Sequence, residues 1–222
     1  RLQTIRPMRL LATTATITDV TNLIYDIVIA SLPYTDDLIN PPTGPAVLKG
    51  IAESRGYNVK TIDFSLELRE FVYNGDNVKY QQHQDYYAST LTIDKTNDPA
   101  IHQFYEYIVK RLDELKFRYF GISVFSMLTQ KAAIELCAFL QKHRPDIKIV
   151  LGGAGLVSRS HYTISNYISK NEKKSQFLEV MQARNLANSY IVGEGENAIT
   201  ELLDGNSDKF TQAVVWNDAD NG

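Results

Sequence analysis

Two short apolar runs constrain this 222-residue chain more than anything else in it. Gly121-Ile122-Ser123-Val124-Phe125 is followed, after a helix-length interval, by Ile149-Val150-Leu151-Gly152-Gly153-Ala154-Gly155. Each run is almost continuously apolar and then gives way to small residues. A strand covered on both faces reads this way, and it is parallel strands that are covered on both faces. Small residues at the strand ends let another group reach the backbone where no Cβ stands in its path. In an open parallel sheet those carboxyl ends are where ligands bind.

The same alternation of strand and helix runs along most of the sequence. Tyr25 to Leu32 reads as a buried first strand, and Pro45 to Arg55 as a helix with Val47, Leu48, Ile51 and Ala52 on one face. Gly56 is placed to end that helix as a left-handed cap, and Asn58 to Phe64 reads as the second strand. Such a βαβ unit crosses over right-handed. A helix from Pro99 to Leu115, a third strand from Tyr119 to Val124, a helix from Thr129 to His143 and a fourth strand from Ile147 to Leu151 follow. After a polar helical stretch from His161 to Arg184, Ser189 to Glu196 supplies the fifth strand and its turn, and a helix runs on through Leu203. Five strands separated by helices predict an α/β fold, a Rossmann-like or flavodoxin-like doubly wound five-stranded parallel sheet.

Three stretches stand apart from that pattern. Residues 1–24 form a Thr-rich lead-in, and 25–205 the repeating domain. Residues 66–99 open with a helix-like Glu67 to Phe71, but Asn74 to Thr92 is rich in Asn, Gln, Asp and Tyr without a clear period. It reads as an excursion from the α/β pattern, serving as a lid or a partner surface. Residues 206–222, with Ala213-Val214-Val215-Trp216, either add a strand or link to a further domain.

Composition narrows the chemistry. A net charge of −3 offers no electrostatic case for nucleic acid. No apolar run approaches the ~20 residues a membrane span requires, and the basic start lacks the apolar core of a secretory signal. The single cysteine, Cys137, excludes an internal disulfide and a cysteine-rich metal or cluster site within these residues. A reducing, cytoplasmic compartment is the expectation. His83, His102, His143 and His161 are scattered and form no pair at metal-ligand spacing; His161 alone lies near the strand ends. Ser123 has no evident base.

Four loops converge on the expected rim: Pro41 to Gly44, Ser123 to Ser126, Gly152 to Gly155, and Gly193-Glu194-Gly195-Glu196. No Gly-Lys-Ser/Thr phosphate loop is present, and the last loop puts carboxylates beside the site. Carboxylates there suit hydroxyl or amide donors on a ligand, or a cap on the next helix, the role expected of Glu196.

Taken together, Asn40-Pro41-Pro42-Thr43-Gly44, the strand end Gly121-Ile122-Ser123, the Leu151-Gly152-Gly153 turn and Gly193-Glu194-Gly195-Glu196 resemble the cobalamin-binding domain of cobalamin-dependent radical S-adenosylmethionine enzymes. The resemblance covers roughly residues 25–205. The broader cobalamin-binding family carries Asp-x-His-x-x-Gly after the first strand, Ser-x-Leu after the third and Gly-Gly after the fourth. Here Ser123-Val124-Phe125 puts Phe for Leu, and Gly152-Gly153 stands at the usual interval. With Gly44 aligned, Ile39 and Pro41 occupy the Asp and His positions, so the resemblance implies cobalamin held base-off without a histidine ligand.

It further implies that Ser123 and Gly152-Gly153 border the slot for the displaced dimethylbenzimidazole tail, with Gly153 and Gly155 permitting close backbone approach, and that Val124, Phe125, Ser126 and Ala154 join them in binding the cofactor. Asn40, Pro42, Thr43 and Gly44 would lie under the corrin ring, with Gly193, Glu194 and Gly195 beside it. A [4Fe-4S] cluster and S-adenosylmethionine would belong to a following radical domain, the chain's implied partner, whose three cysteines are not among these residues. The activity implied is a methyl transfer that this chain does not complete alone. A standalone corrinoid carrier or sensor, and a flavodoxin-like protein-interaction module, are the alternatives.

Overall fold

The computed structural model describes residues 24–33, 43–88, 99–157, 176–206 and 214–215. Its centre is a sheet of strands β1 (Ile24–Ser31), β2 (Val59–Asp63), β3 (Lys116–Ser123), β4 (Ile149–Gly152) and β5 (Ser189–Val192), in the order β2-β1-β3-β4-β5 and all parallel. That is the flavodoxin-like order the sequence predicts. A two-residue strand β6 (Val214–Val215) adds antiparallel to β5.

Strand alternation divides the core between the two faces. On one face Val28, Ala30, Phe120, Ile122, Ile149, Leu151 and Tyr190 pack in one large cluster. Helices α4 (Pro99–Asp113), α5 (Met127–His143) and α6 (Gln176–Ala183) supply Phe104, Ile108, Leu112, Leu136, Leu140, Phe177 and Met181 to it. On the other face Ile27, Ile29, Val150 and Ile191 meet α1 (Thr43–Ser54) and α7 (Gly195–Leu203) through Ala52, Ala198, Ile199, Leu202 and Leu203. Gly56 follows α1 with φ of +91°, the left-handed cap its position predicts.

The stretch after β2 differs from the sequence expectation. Asp63 ends the strand and caps the next turn, accepting hydrogen bonds from the N–H groups of Ser65 and Leu66. A short helix α2 (Phe64–Glu67) passes directly into a π-helical turn over Leu68–Val72, and a full helix α3 (Asn77–Ala88) follows. The part of the excursion described here is therefore ordered against the core: Tyr73, Tyr80, His83 and Tyr87 are buried. In α3, Tyr80, His83 and Tyr87 lie at spacings of three and four and form one helical face. Residues 89–98, the rest of the predicted excursion, lie outside the described residues.

This face is closed by polar chemistry as well as packing. The Tyr105 hydroxyl donates to Glu135 Oε2 (2.9 Å), the Tyr86 hydroxyl donates to Oε1 (2.7 Å), and Tyr87 and Tyr105 share a 2.7 Å bond. Lys131 Nζ donates to the Tyr86 carbonyl at 3.0 Å and sits 3.5 Å from the centre of the Tyr86 ring. Burial raises the pKa of Glu135, against the opposing effects of the two tyrosine hydroxyls and Lys131. Burial likewise raises those of Tyr87 and Tyr105 well above the usual phenol value. Cys137, on α5, is fully buried in this cluster and its thiol is pushed up by desolvation, the profile of a structural residue.

Candidate functional site

The sheet loses bulk toward its carboxyl edge on the α1/α7 face. Register places Asp63, Ser31, Ser123, Gly152 and Ile191 in one row across β2, β1, β3, β4 and β5. The preceding row on the same face contains Ile29, Gly121 and Val150. Along β3 the large Tyr119 on this face therefore gives way to the small Gly121 and Ser123, and along β4 Val150 gives way to Gly152. Where side chains shrink, α1 and α7 have nothing to rest on.

The result is a cavity of about 370 Å³ between the sheet and the first halves of α1 and α7. Its floor is Ile27, Ile29, Gly121, Val150, Gly152 and Ile191; its walls are Val47 and Leu48 from α1 and Ile199 from α7. The size is that of a small-molecule site. Beyond it the helices are held together, the Arg55 guanidinium donating to Thr200 and the Tyr57 hydroxyl to Asp204, while Arg118 Nη1 on β3 ties α7 to the sheet through the Leu203 carbonyl at 2.8 Å. The two helices are thus tied near their carboxyl ends, away from the cavity.

Of the residues singled out from sequence, Thr43, Gly44, Ser123, Gly152, Gly153, Gly193, Glu194 and Gly195 line this one cavity. Val124, Phe125, Ser126, Ala154 and Gly155 do not. Ser126 caps α5: its hydroxyl accepts from the Leu128 N–H (3.2 Å), while its own N–H donates to Thr129 Oγ1 (3.3 Å). Phe125 is 59% exposed at the end of β3. Asn40, Pro41, Pro42 and His161 lie outside the described residues.

The glycines fall into two groups with different reasons to be glycine. Val124 N–H donates to the Gly152 carbonyl (2.7 Å), and Gly155 N–H donates to the Val124 carbonyl (2.8 Å). Gln130 Nε2 then holds the Gly155 carbonyl at 2.6 Å. The turns after β3 and β4 are sewn together this tightly only because no Cβ intervenes. At Gly153, where φ is +112°, a Cβ would come within 2.5 Å of the Val124 carbonyl oxygen; at Gly155 it would meet that oxygen at 2.7 Å and the Ser126 carbonyl oxygen at 2.8 Å. The close backbone approach expected at these two glycines is made by the chain's own backbone. Gly44 and Gly152 differ: a Cβ at Gly44 would meet nothing within 4 Å, and one at Gly152 would meet only Ile191 at 3.9 Å. Space is left at these two positions on the cavity wall.

Among the described residues the lining contains two carboxylates, Glu194 and Glu196, and no Lys, Arg or His. Glu194 occupies the N-cap position of α7 without a side-chain capping bond. Glu196, in the first turn, turns one carboxylate oxygen out of solvent, and that oxygen meets no hydrogen-bond donor among the described residues. The cap expected of Glu196 is absent as a hydrogen bond. Among the described histidines, His83 lies in the opposite core against Tyr73 (2.5 Å from its hydroxyl), and His102 and His143 pack on Phe139. None lines the cavity. No cluster of three or more metal-ligating side chains occurs among the described residues.

Sequence reading missed Ile27, Ile29, Gly121, Val47, Leu48 and Ile199 as lining residues. Counting by twos from Gly152 and its register partners would find the strand residues; Val47 and Leu48 lie on the apolar face predicted for the first helix, and Ile199 falls in the predicted last helix, for which no face was assigned.

No family model and no curated protein matches the chain. Among solved structures it is similar to the radical S-adenosylmethionine methyltransferase TsrM from Kitasatospora setae. One TsrM structure has tryptophan substrate and the SAM analogue aza-SAM bound, and another has cobalamin and a [4Fe-4S] cluster bound. Identity is 13% in each case, the TM-scores are 0.44 and 0.42, and each match covers 84% of this chain and 27% of the other. The chain thus spans about a quarter of the length of the structures it matches. No residue role carries over at that degree of likeness.

Proposed function

We propose that this chain is the cobalamin-binding domain of a cobalamin-dependent radical S-adenosylmethionine enzyme, a methyltransferase, and that the α1/α7 cavity takes the nucleotide tail of cobalamin held base-off and without a histidine ligand. The observation that carries the proposal is the loss of side-chain bulk at Gly121, Ser123 and Gly152, which opens an apolar cavity on the carboxyl edge of a parallel sheet. A neutral aromatic base fits among Ile27, Ile29, Val150, Ile191 and Ile199, where its burial is favourable at about 25 cal/mol per Å².

The charge of the lining supports the same choice. A ligand ending in a phosphate dianion, such as a flavin mononucleotide, would meet Glu194 and Glu196 with no cationic side chain among the described lining residues to offset them. The phosphate of the cobalamin tail is a singly charged diester, separated from the base by the ribose, so the base enters and the diester stays toward the open side. Thr43 and Gly44 begin α1 at the cavity wall, directly after the Asn40-Pro41-Pro42 segment that the proposal puts beneath the corrin.

When bound, cobalamin supplies a cobalt centre able to carry and release a methyl group. This chain's part is to bind the tail, fix the ring's position over the sheet edge and keep the displaced base away from cobalt. The [4Fe-4S] cluster and S-adenosylmethionine belong, in this proposal, to a separate radical domain that is the chain's partner. Gel filtration after mixing with hydroxocobalamin tests the cofactor: a corrinoid spectrum should co-elute with the protein and stay unchanged when His83, His102, His143 or His161 is replaced. Free corrinoid eluting apart from the protein would contradict the proposal.

A further inference from the structure

The α1/α7 cavity is layered in polarity, and strand register sets the layers. Ser123 and Gly152 lie in the edge row; Ile29, Gly121 and Val150 lie one row in, and Ile27 one row deeper again. On the helices, Thr43 starts α1 and Glu194 caps α7 at the mouth, while Leu48 and Ile199 stand in the second turns. The polar side chains of the described lining are thus gathered at the mouth. Glu196 Oε2 is enclosed even from water and does not face an occupant. The inner rows present aliphatic side chains and one glycine, and the backbone groups between them are taken up by the parallel ladder. Ile27, Ile29, Val150 and Ile199 are all buried. Among the described residues the depth therefore offers an entering group neither a donor nor an acceptor, and a polar atom placed there loses water and gains no partner.

We infer that this cavity selects among corrinoids by their lower base, accepting benzimidazole and phenol bases and disfavouring purines. The selectivity rests on the cobalamin proposal and deepens it, from holding a tail to choosing one. With the sugar at the mouth, the ring edge remote from it goes deepest. In dimethylbenzimidazole that edge carries methyl groups, which suit Ile27, Ile29, Val150 and Ile199. A p-cresolyl base is apolar there too. In adenine the six-membered ring carries nitrogen acceptors, which would be buried against the same aliphatic side chains without a donor. Thr43, Ser123 and Glu194 are at the level of the sugar and serve only polar atoms near the mouth. An apolar pocket rejects such a near-isostere by about tenfold to a hundredfold, through the unpaired polar atoms and not through size.

The test titrates wild-type protein with hydroxocobalamin, its p-cresolyl and adeninyl analogues, and cobinamide, which keeps the corrin but lacks ribose and base. All four are used in the hydroxo form. The p-cresolyl analogue should bind at least as tightly as hydroxocobalamin, since it has no base to displace from cobalt. The adeninyl analogue should bind about tenfold or more weakly. Adenine leaves cobalt more readily than dimethylbenzimidazole, so base displacement alone would give the opposite ranking. Val150→Thr, which sets a hydroxyl in the inner row, should narrow the gap between hydroxocobalamin and the adeninyl analogue by about threefold. Adeninyl analogue and hydroxocobalamin bound equally by wild type would overturn the selectivity and leave cobalamin binding standing. The wild-type gap persisting in full in folded Val150→Thr would overturn its assignment to the inner row. Cobinamide bound as tightly as hydroxocobalamin would take the tail out of the cavity and the selectivity with it. Uptake of none of the four would remove the cobalamin proposal and the selectivity together. Should Val150→Thr fail to fold, the wild-type series decides the matter.

Discussion

The two faces of this sheet are built from the same strands and are packed to different ends. On the α4/α5 face the largest fully buried side chains among the described residues, Phe64, Tyr87, Phe104, Phe120 and Phe177, fill one cluster, and the hydroxyls of Tyr86 and Tyr105 are satisfied by Glu135. On the α1/α7 face the buried residues are aliphatic and smaller, and at the carboxyl edge they yield to Ser123, Gly121 and Gly152. One face is filled to completion and stabilises the fold. The other stops short, and the shortfall has the position and lining of a ligand site. Stability and binding are thus separable by face, which gives the comparison measurable consequences.

The largest effect belongs to the filled face. Phe104→Ala should cost about 3–5 kcal/mol in urea unfolding, the range for deleting a fully buried aromatic side chain. Val47→Ala, on the cavity wall and 47% exposed, should stay within about 0.5 kcal/mol of wild type. Equal losses at the two sites would erase the distinction between the faces.

Next comes the seam between the two turns. Gly155→Ala should cost about 2–3 kcal/mol, since its methyl group would press on the carbonyl oxygens of Val124 and Ser126. A neutral result there would mean the turns are free to part, and the glycine would again need a ligand to explain it.

The smallest effect concerns the polar margin of the filled face. Burial raises the pKa of Glu135 in the folded protein, so its contribution to stability is complete below the unfolded-state carboxyl value and is lost as pH rises through the folded-state value. Wild type should therefore lose stability at this site between acidic and neutral pH, and Glu135→Gln should not, so the two curves diverge as pH rises. Parallel stability–pH curves for the two proteins would show that the carboxylate is not held in a desolvated state.

Much of this architecture is legible in the chain. The nearly continuous apolar runs at Tyr25 to Leu32 and Ile147 to Leu151 give strands, and their spacing by helices gives parallel order, because both follow from burial on two faces. Helix α3 is not legible, since its buried face is Tyr80, His83 and Tyr87, residues whose polar tips cancel their apolar bodies in any hydropathy count. Nor does sequence distinguish Gly152 from Gly153. Both letters say only that a Cβ is unwelcome, and it takes the position of Val124 to reveal that one gap faces the chain itself and the other faces the cavity. The orphan oxygen of Glu196 belongs to the same class: a first-turn glutamate reads as a helix feature until the donors around it are counted.

Gly152 offers the most direct measurement of the central claim, because a side chain there enters the cavity while the nearest protein atoms stay at ordinary contact distance. Hydroxocobalamin titrated into wild-type protein and Gly152→Val, followed by the visible corrinoid spectrum, should give saturable binding to wild type and none to the variant, with both proteins unfolding at closely similar urea concentrations. Equal uptake by the two proteins would contradict the assignment of the cavity to the nucleotide tail, and no uptake by wild type would contradict cobalamin binding itself.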